Sequence, residues 1–228
     1  MELIPAAAQT WRTLRLAGQE WRDEETLLRA WEREVARVRR HSSITQLVAI
    51  KEGDSEADAR EMWRAWIARP DRLRAEFRVG DGTVTVIFAG DRWWSRSPQG
   101  FLSNDREPSA RHGMGPAEAL LDPGRHLARL RVITTSPTTY LARPASLISA
   151  EPNLSDDGES SFALHPLGAG ADGYGLVVDD ESGVLLRTEA RLEGAPFRVI
   201  AVEEMAVDVP LTPETFDPER LRAGLMDL

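Results

Sequence analysis

The sequence predicts an α+β fold: a meander of short antiparallel strands with a helix near the N-terminus and another in the centre of the chain. Three observations predict it. Residues 72–79, RLRAEFRV, put Leu73, Ala75, Phe77 and Val79 on one side and Arg72, Arg74, Glu76 and Arg78 on the other, the period of a half-buried strand. The short turns Gly80-Asp81-Gly82 and Gly90-Asp91 join this segment to TVTVIFA and RWWSRS, and connections of this length pair strands antiparallel. Between residues 20 and 40 the period lengthens, with Leu27, Leu28, Trp31, Val35 and Val38 at helical spacing.

Taken in order, a short helix over 5–17 opened by Pro5 precedes the helix at 20–40. The latter carries Asp23, Glu24 and Glu25 at its start and Arg37, Arg39 and Arg40 at its end, the order that suits the helix dipole. Its Leu27, Trp31, Val35 and Val38 face is expected to pack on the concave side of the sheet. SITQLVAI and REMWRAWIA read as strands, the second ended by Arg69-Pro70-Asp71. Residues 101–115 read as a polar loop, and PAEALLDPGRHLARL as a helix broken at Asp122-Pro123-Gly124. RVITT, TTYLA and ASLISA resume the strands, and NLSDDGES is a second loop. Two successive hairpins follow, turning at Asp180–Gly183 and at Glu193-Gly194-Ala195, before a Pro-rich tail. The alternation makes 72–79, 83–89, 174–179, 184–192 and 197–207 strands of one sheet. It also buries Leu73, Phe77, Val84, Phe88, Leu176 and Leu186.

Composition narrows the function. The chain of 228 residues is long enough for a sizeable core, and no run approaches the roughly 18 apolar residues of a membrane helix. The opening residues show no secretory signal pattern, so the sequence as written implies a cytoplasmic protein, or a periplasmic or extracytoplasmic one if a leader has been trimmed. No cysteine is present, which excludes disulfides and thiolate chemistry. Of the 28 basic residues only Lys51 is a lysine, and the net charge of −9 opposes binding to nucleic acid.

Four pieces occur in a telling order: Arg69-Pro70-Asp71-Arg72-Leu73-Arg74; Gly90-Asp91-Arg92-Trp93-Trp94; Asp179 through Gly183 followed by Val184-Leu185-Leu186-Arg187; and Leu211-Thr212-Pro213-Glu214-Thr215-Phe216-Asp217-Pro218. In them the chain resembles the family of the lipoprotein carrier LolA and the amino-terminal domain of the sigma-E regulatory protein RseB. The resemblance implies a curved antiparallel sheet, an incomplete β-barrel or half-barrel, wrapped around an N-terminal and a central helix, with an apolar cavity between sheet and helices that holds acyl chains or a lipid anchor. With no internal repeat and no interdomain linker the chain reads as one domain over 1–228; the likeness covers its core at about 25–218, and residues 1–24 read as an N-terminal helical extension.

The physical reading points the same way, because one amphipathic helix is too narrow to cover so many strands, and an apolar cavity binds ligands by removing their surface from water. Trp66, Phe77, Phe88, Trp94, Leu176, Leu186 and Trp31 are the candidate lining; the plainer alternative for the tryptophans is ordinary core. Trp93 and Trp94, one residue apart, face opposite ways. His41, His112, His126 and His165 are scattered without metal-ligand spacing, there is no nucleophile elbow, and the acidic pairs sit in turns or on opposite sides of a strand. No catalytic residue, metal or cofactor is therefore assigned. The expected function is non-enzymatic binding of an apolar small molecule or lipid, and the alternative is a regulatory module of RseB type with a protein partner.

Overall fold

A computed structural model describes residues 11–41, 60–104, 113–121, 126–153, 164 and 166–224. Among them eleven strands form one antiparallel sheet that does not close into a barrel, so the fold class is the expected one. The strands are β1 (Thr13–Arg22), β2 (Arg60–Ala68), β3 (Arg72–Val79), β4 (Gly82–Ala89), β5 (Arg92–Ser97), β6 (Gly100–Ser103), β7 (Leu130–Tyr140), β8 (Arg143–Pro152), β9 (Gly173–Asp179), β10 (Leu185–Leu192) and β11 (Ala195–Val207). Their order across the sheet is β6-β5-β4-β3-β2-β1-β11-β10-β9-β8-β7. The helices are α1 (Glu24–His41), α2 (Ala117–Leu121) and α3 (Pro218–Ala223), with a 3-10 turn at Pro213–Phe216. All five strand spans expected from alternation are strands, within two residues at their ends.

By internal contacts the chain divides into two compact units. The first draws on Glu20–Arg60 and Ala119–Ala201, the second on Thr10–Gln19, Glu61–Glu118 and Val202–Leu228.

In the first unit α1 begins at Asp23, whose carboxylate accepts from the Thr26 backbone N–H at 3.1 Å and from the Thr26 hydroxyl. The buried stripe of α1 is Thr26, Ala30 and Glu34, one step around the helix from the expected face. Leu27, Trp31 and Val35 are half-buried, and the Val38 side chain lies outside the described residues. The reason lies in what meets the helix. Gly170, at φ +81°, crosses so close that a Cβ there would stand 1.9 Å from the Ala30 carbonyl oxygen, so a small helix residue and a glycine face each other. Glu34 tolerates burial because Arg37 grips both its oxygens at 3.0 and 3.2 Å. Leu176 and Leu186 are fully buried, as expected.

The N-terminal helical extension is corrected. Residues 13–22 are strand β1, with Leu14, Leu16, Gly18 and Glu20 buried in period two; residues 1–10 lie outside the description. Three other readings change. Gly100–Ser103, assigned in part to a loop, pairs with β5 as strand β6. RVITT and TTYLA are parts of the single strand β7. The Pro-rich tail is a 3-10 turn followed by α3, which Asp217 caps by accepting from the Glu219 N–H and which Gly224 ends in the left-handed conformation. The strand expected at 43–50, the loop at 153–160 and the break at 122–124 fall on residues outside the description, apart from Asn153.

Candidate functional site

The site emerges from the register of β2 to β5 in the second unit. Residues opposite one another across antiparallel strands share a face. One face therefore carries three cross-strand rows: Trp63–Phe77–Val84, Ala65–Ala75–Val86–Ser95 and Ile67–Leu73–Phe88–Trp93. The middle row is small and the outer two are large, so in side-chain size the rows outline a trough, whose alanine, valine and serine floor is itself at most 2% exposed. Most of these residues are buried, but Phe77 and Phe88, one on each wall, are only half-buried. Beyond Phe77 on the same face, Val79 is 57% exposed. Gly115, at φ +60°, approaches Phe77 so tightly that a Cβ would lie 2.6 Å from the ring.

The opposite face carries the row Trp66–Arg74–Ile87–Trp94. There Ile87 and Trp94 form a core with Phe216 and Leu221, flanked by Trp66, Phe101 and Leu211. Arginines fasten the C-terminal segment to this face. The Arg74 guanidinium lies 4.9 Å from the Trp66 ring centroid, pairs with Glu76, and donates to the Thr215 carbonyl at 3.4 Å. Arg96 donates to the Arg222 carbonyl at 2.8 Å.

The predicted lining is thus not one set. Phe77 and Phe88 share the trough; Trp66 and Trp94 lie on the opposite side of the strands, under the C-terminal cap; Trp31, Leu176 and Leu186 belong to the first unit. The trough's own tryptophans are Trp63 and Trp93. The turns carry the signal that distinguishes them. Two residues, Gly90 and Asp91, separate β4 from β5 and pair Ala89 with Arg92, which places Phe88 opposite Trp93 rather than Trp94. Three residues, Arg69 to Asp71, do the same for Trp63 and Phe77.

Two cavities open at the surface. One, of about 210 Å³, lies at the Trp63–Phe77 end of the strands and is bordered by both, by Met62, and by Arg64, Glu76 and Arg78. The other, of about 230 Å³, is in the first unit beside Arg33, Glu34, Arg37, Asp172 and Tyr174. Of the predicted lining only Phe77 borders either one. In the second cavity the charges are matched: Glu34 with Arg37 at 3.0 Å, Arg33 with Asp172 at 3.5 Å. Tyr174 donates to the Gly168 carbonyl at 2.7 Å, and burial, together with Glu34 and Asp172, pushes its phenol pKa well above the ordinary value of 10.0 against the pull of Arg198. In the first cavity Glu76 is taken by Arg74, while neither Arg64 nor Arg78 has an ion-pair partner among the described residues.

Among the described residues there is no group of three or more His, Asp or Glu that could hold a metal, and no helix is long and apolar enough to cross a membrane.

No family model and no curated protein matches the sequence. Solved structures do. The chain is similar to MucB, in a crystal structure with MucA(peri), at TM-score 0.48 and 10% identity, over 94% of this chain and 56% of that one. It therefore spans little more than half the length of MucB. It is also similar to an uncharacterized conserved protein from Thermus thermophilus, at TM-score 0.48 and 10% identity over 91% and 85% of the two chains. A LolA superfamily protein from Nitrosomonas europaea matches at TM-score 0.34 and 9% identity, over 92% of each chain.

Proposed function

We propose that the protein is a non-enzymatic binding protein that takes an apolar or amphiphilic small molecule in the trough of β2 to β5. The observation that supports this most is the pair of half-buried phenylalanines, Phe77 and Phe88, on the two walls of a floor of small side chains. Large aromatics that keep part of their surface in water beside such a floor gain on the order of 25 cal/mol per Å² when an apolar occupant covers them. The hydrocarbon dye diphenylhexatriene tests the reading, since it fluoresces once it leaves water. Saturable binding near one per chain is expected. Phe88→Glu, which puts an unpaired carboxylate in the trough, should weaken it more than tenfold. Arg72→Glu, at an exposed position on the opposite face, should leave it unchanged within twofold. No saturable binding by the folded protein, or equal effects of the two substitutions, defeats the trough as the site.

A second reading, a module that binds a protein partner, draws on β7. This strand of eleven residues is a sheet edge and carries Ile133, 47% exposed, though Pro137 removes one backbone donor from it. Failure of the dye experiment with a stable complex recovered on β7 would favour it.

A further inference from the structure

On the face of β2 to β5 opposite the trough rows, the C-terminal cap covers the Trp66–Arg74–Ile87–Trp94 row but not the end of the face that Arg64 and Arg78 occupy. That end is basic in a chain whose net charge is −9. Arg60, Arg64 and Arg78 are exposed there, and none has an ion-pair partner among the described residues. Glu76, the acid opposite Arg64, is taken by Arg74. Elsewhere on the face, Arg96 donates to the cap, and Arg72 lies on the far side of the Trp66 row, opposite Ala68 and Ala89. Gathered like charges set up a local field that an opposite charge relieves. Met62, 54% exposed, and Thr83 stand on the same face, and with Arg64 and Arg78 they border the cavity of about 210 Å³. Along β2 the face therefore reads Arg60, Met62, Arg64: basic, apolar, basic, each about 7 Å from the next.

We propose that this end of the face docks an extended acidic segment of a partner protein, in which an apolar residue stands between two acids at alternate positions. An extended chain repeats its side chains on one side at that same spacing, so the two acids meet Arg60 and Arg64 while the apolar side chain enters the cavity beside Met62. Arg78, on the neighbouring strand, adds to the field that holds them. A free anion would answer the arginines and leave the methionine in water. Nucleic acid is repelled by the charge of the whole molecule, and a lipid plane carrying negative headgroups meets Glu214 and Glu219, exposed on the cap of the same face. A single chain passes beside the cap. The proposal does not rest on the trough, whose rows point the other way.

The probe is a short fluorescein-labelled peptide of glycine and serine around a Glu-Thr-Leu-Thr-Glu core, titrated with the full chain and read by fluorescence anisotropy. Saturable binding is expected, and it should weaken as sodium chloride rises through about 0.15 M. Lysines in place of the two acids should abolish it, and serine in place of the leucine should weaken it about fivefold. Arg64→Glu should weaken it about tenfold, since one exposed attraction becomes a repulsion, and Arg64→Glu combined with Arg78→Glu should leave none measurable. Arg72→Glu, on the same face beyond the Trp66 row, should change it less than twofold, and so should Phe88→Glu in the trough. Because Arg64, Arg72 and Arg78 are exposed, their variants should keep the urea midpoint of the unsubstituted chain. Absence of saturable binding, equal binding of the acidic and lysine peptides, or an Arg64→Glu effect no larger than that of Arg72→Glu overturns the proposal. So does binding of phosphatidylglycerol vesicles in place of the peptide, lost in Arg64→Glu, which would assign the surface to a membrane.

Discussion

The two units answer the same problem, a sheet with an apolar face, in different ways. The first covers its strands with a helix and satisfies the charged groups it buries there. Glu20 is fully enclosed and receives Arg198 at 2.7 Å and Arg22 at 2.6 Å, and Arg198 also donates to the Pro166 carbonyl at 2.8 Å. Tyr174 and Glu34 are likewise satisfied. The second unit covers one face with a C-terminal segment and leaves the other with half-buried phenylalanines and a buried indole N–H that no group among the described residues meets. Thr188 in the first unit has a buried hydroxyl without a partner among those residues as well, but it sits opposite the fully buried Leu176 and borders neither cavity. Each unit therefore holds a buried polar group without a partner among the described residues, whichever way its strands are covered.

The largest expected effect strikes the satisfied unit. Burial by itself would push the Glu20 carboxyl up, but Arg198 and then Arg22 more than offset it and hold the pKa below the ordinary 4.5. A group depressed in the folded state contributes stability that is fully present above its unfolded value and is lost as pH falls through the folded one. Glu20→Gln leaves Arg198 short of its counter-charge and should cost about 3 kcal/mol at pH 7 by urea titration. The gap between the two proteins should hold above about pH 5 and narrow below about 4.5. A gap independent of pH would mean that the network's worth lies in hydrogen bonds alone.

Phe216→Ala probes the second unit. Phe216 is buried against Ile87 and Trp94, so a cost of about 3 kcal/mol is expected. A cost below about 1 kcal/mol would show that the C-terminal cap does not stabilise the strands beneath it. With the cap intact, dye binding in the trough should be unaffected by changes on this face, such as Leu211→Ala.

Much of this was legible in the sequence. Period-two alternation locates β3, β4, β9, β10 and β11, because a half-buried strand has no other way to sort Arg from Phe. What escaped has particular causes. β1 hides its alternation: after Leu14 and Leu16 the next buried positions are Gly18 and Glu20, which no hydrophobic pattern marks. Glu20 can occupy such a position only because Arg198 and Arg22 reach it, and Arg198 lies far along the chain. The C-terminal cap announces itself in Asp217-Pro218 and Gly224, a helix start and stop, within a segment short enough to pass for a tail. The arrangement of the proposed site was half legible. Residue types put aromatic side chains on β2 to β5, but they do not separate Trp66 and Trp94 from Trp63 and Trp93 by face; only the parity of the turns, which fixes register, does that. The orphan indole is beyond any sequence reading, since it depends on which acceptors the fold fails to bring near.

The smallest effect is expected at Trp31, and it sharpens the contrast between pattern and packing. Hydrophobic spacing makes Trp31 the centre of the buried face of α1, and on that basis Trp31→Ala should cost about 3 to 5 kcal/mol, the range for a large core aromatic. The helix is turned instead so that Ala30 meets Gly170 and Glu34 meets Arg37, which leaves the indole half-buried beside the packed stripe. Only the covered part of the ring is lost to water on substitution, and alanine favours the helix. The expected cost is therefore about 1 to 2 kcal/mol in a urea titration, below that of Phe216→Ala. Ala30→Leu should destabilise more than Trp31→Ala, since extra carbons must enter where the backbone at Gly170 already touches the helix. If Trp31→Ala proves the more costly of the two, the face of α1 inferred from spacing is the one that carries the packing.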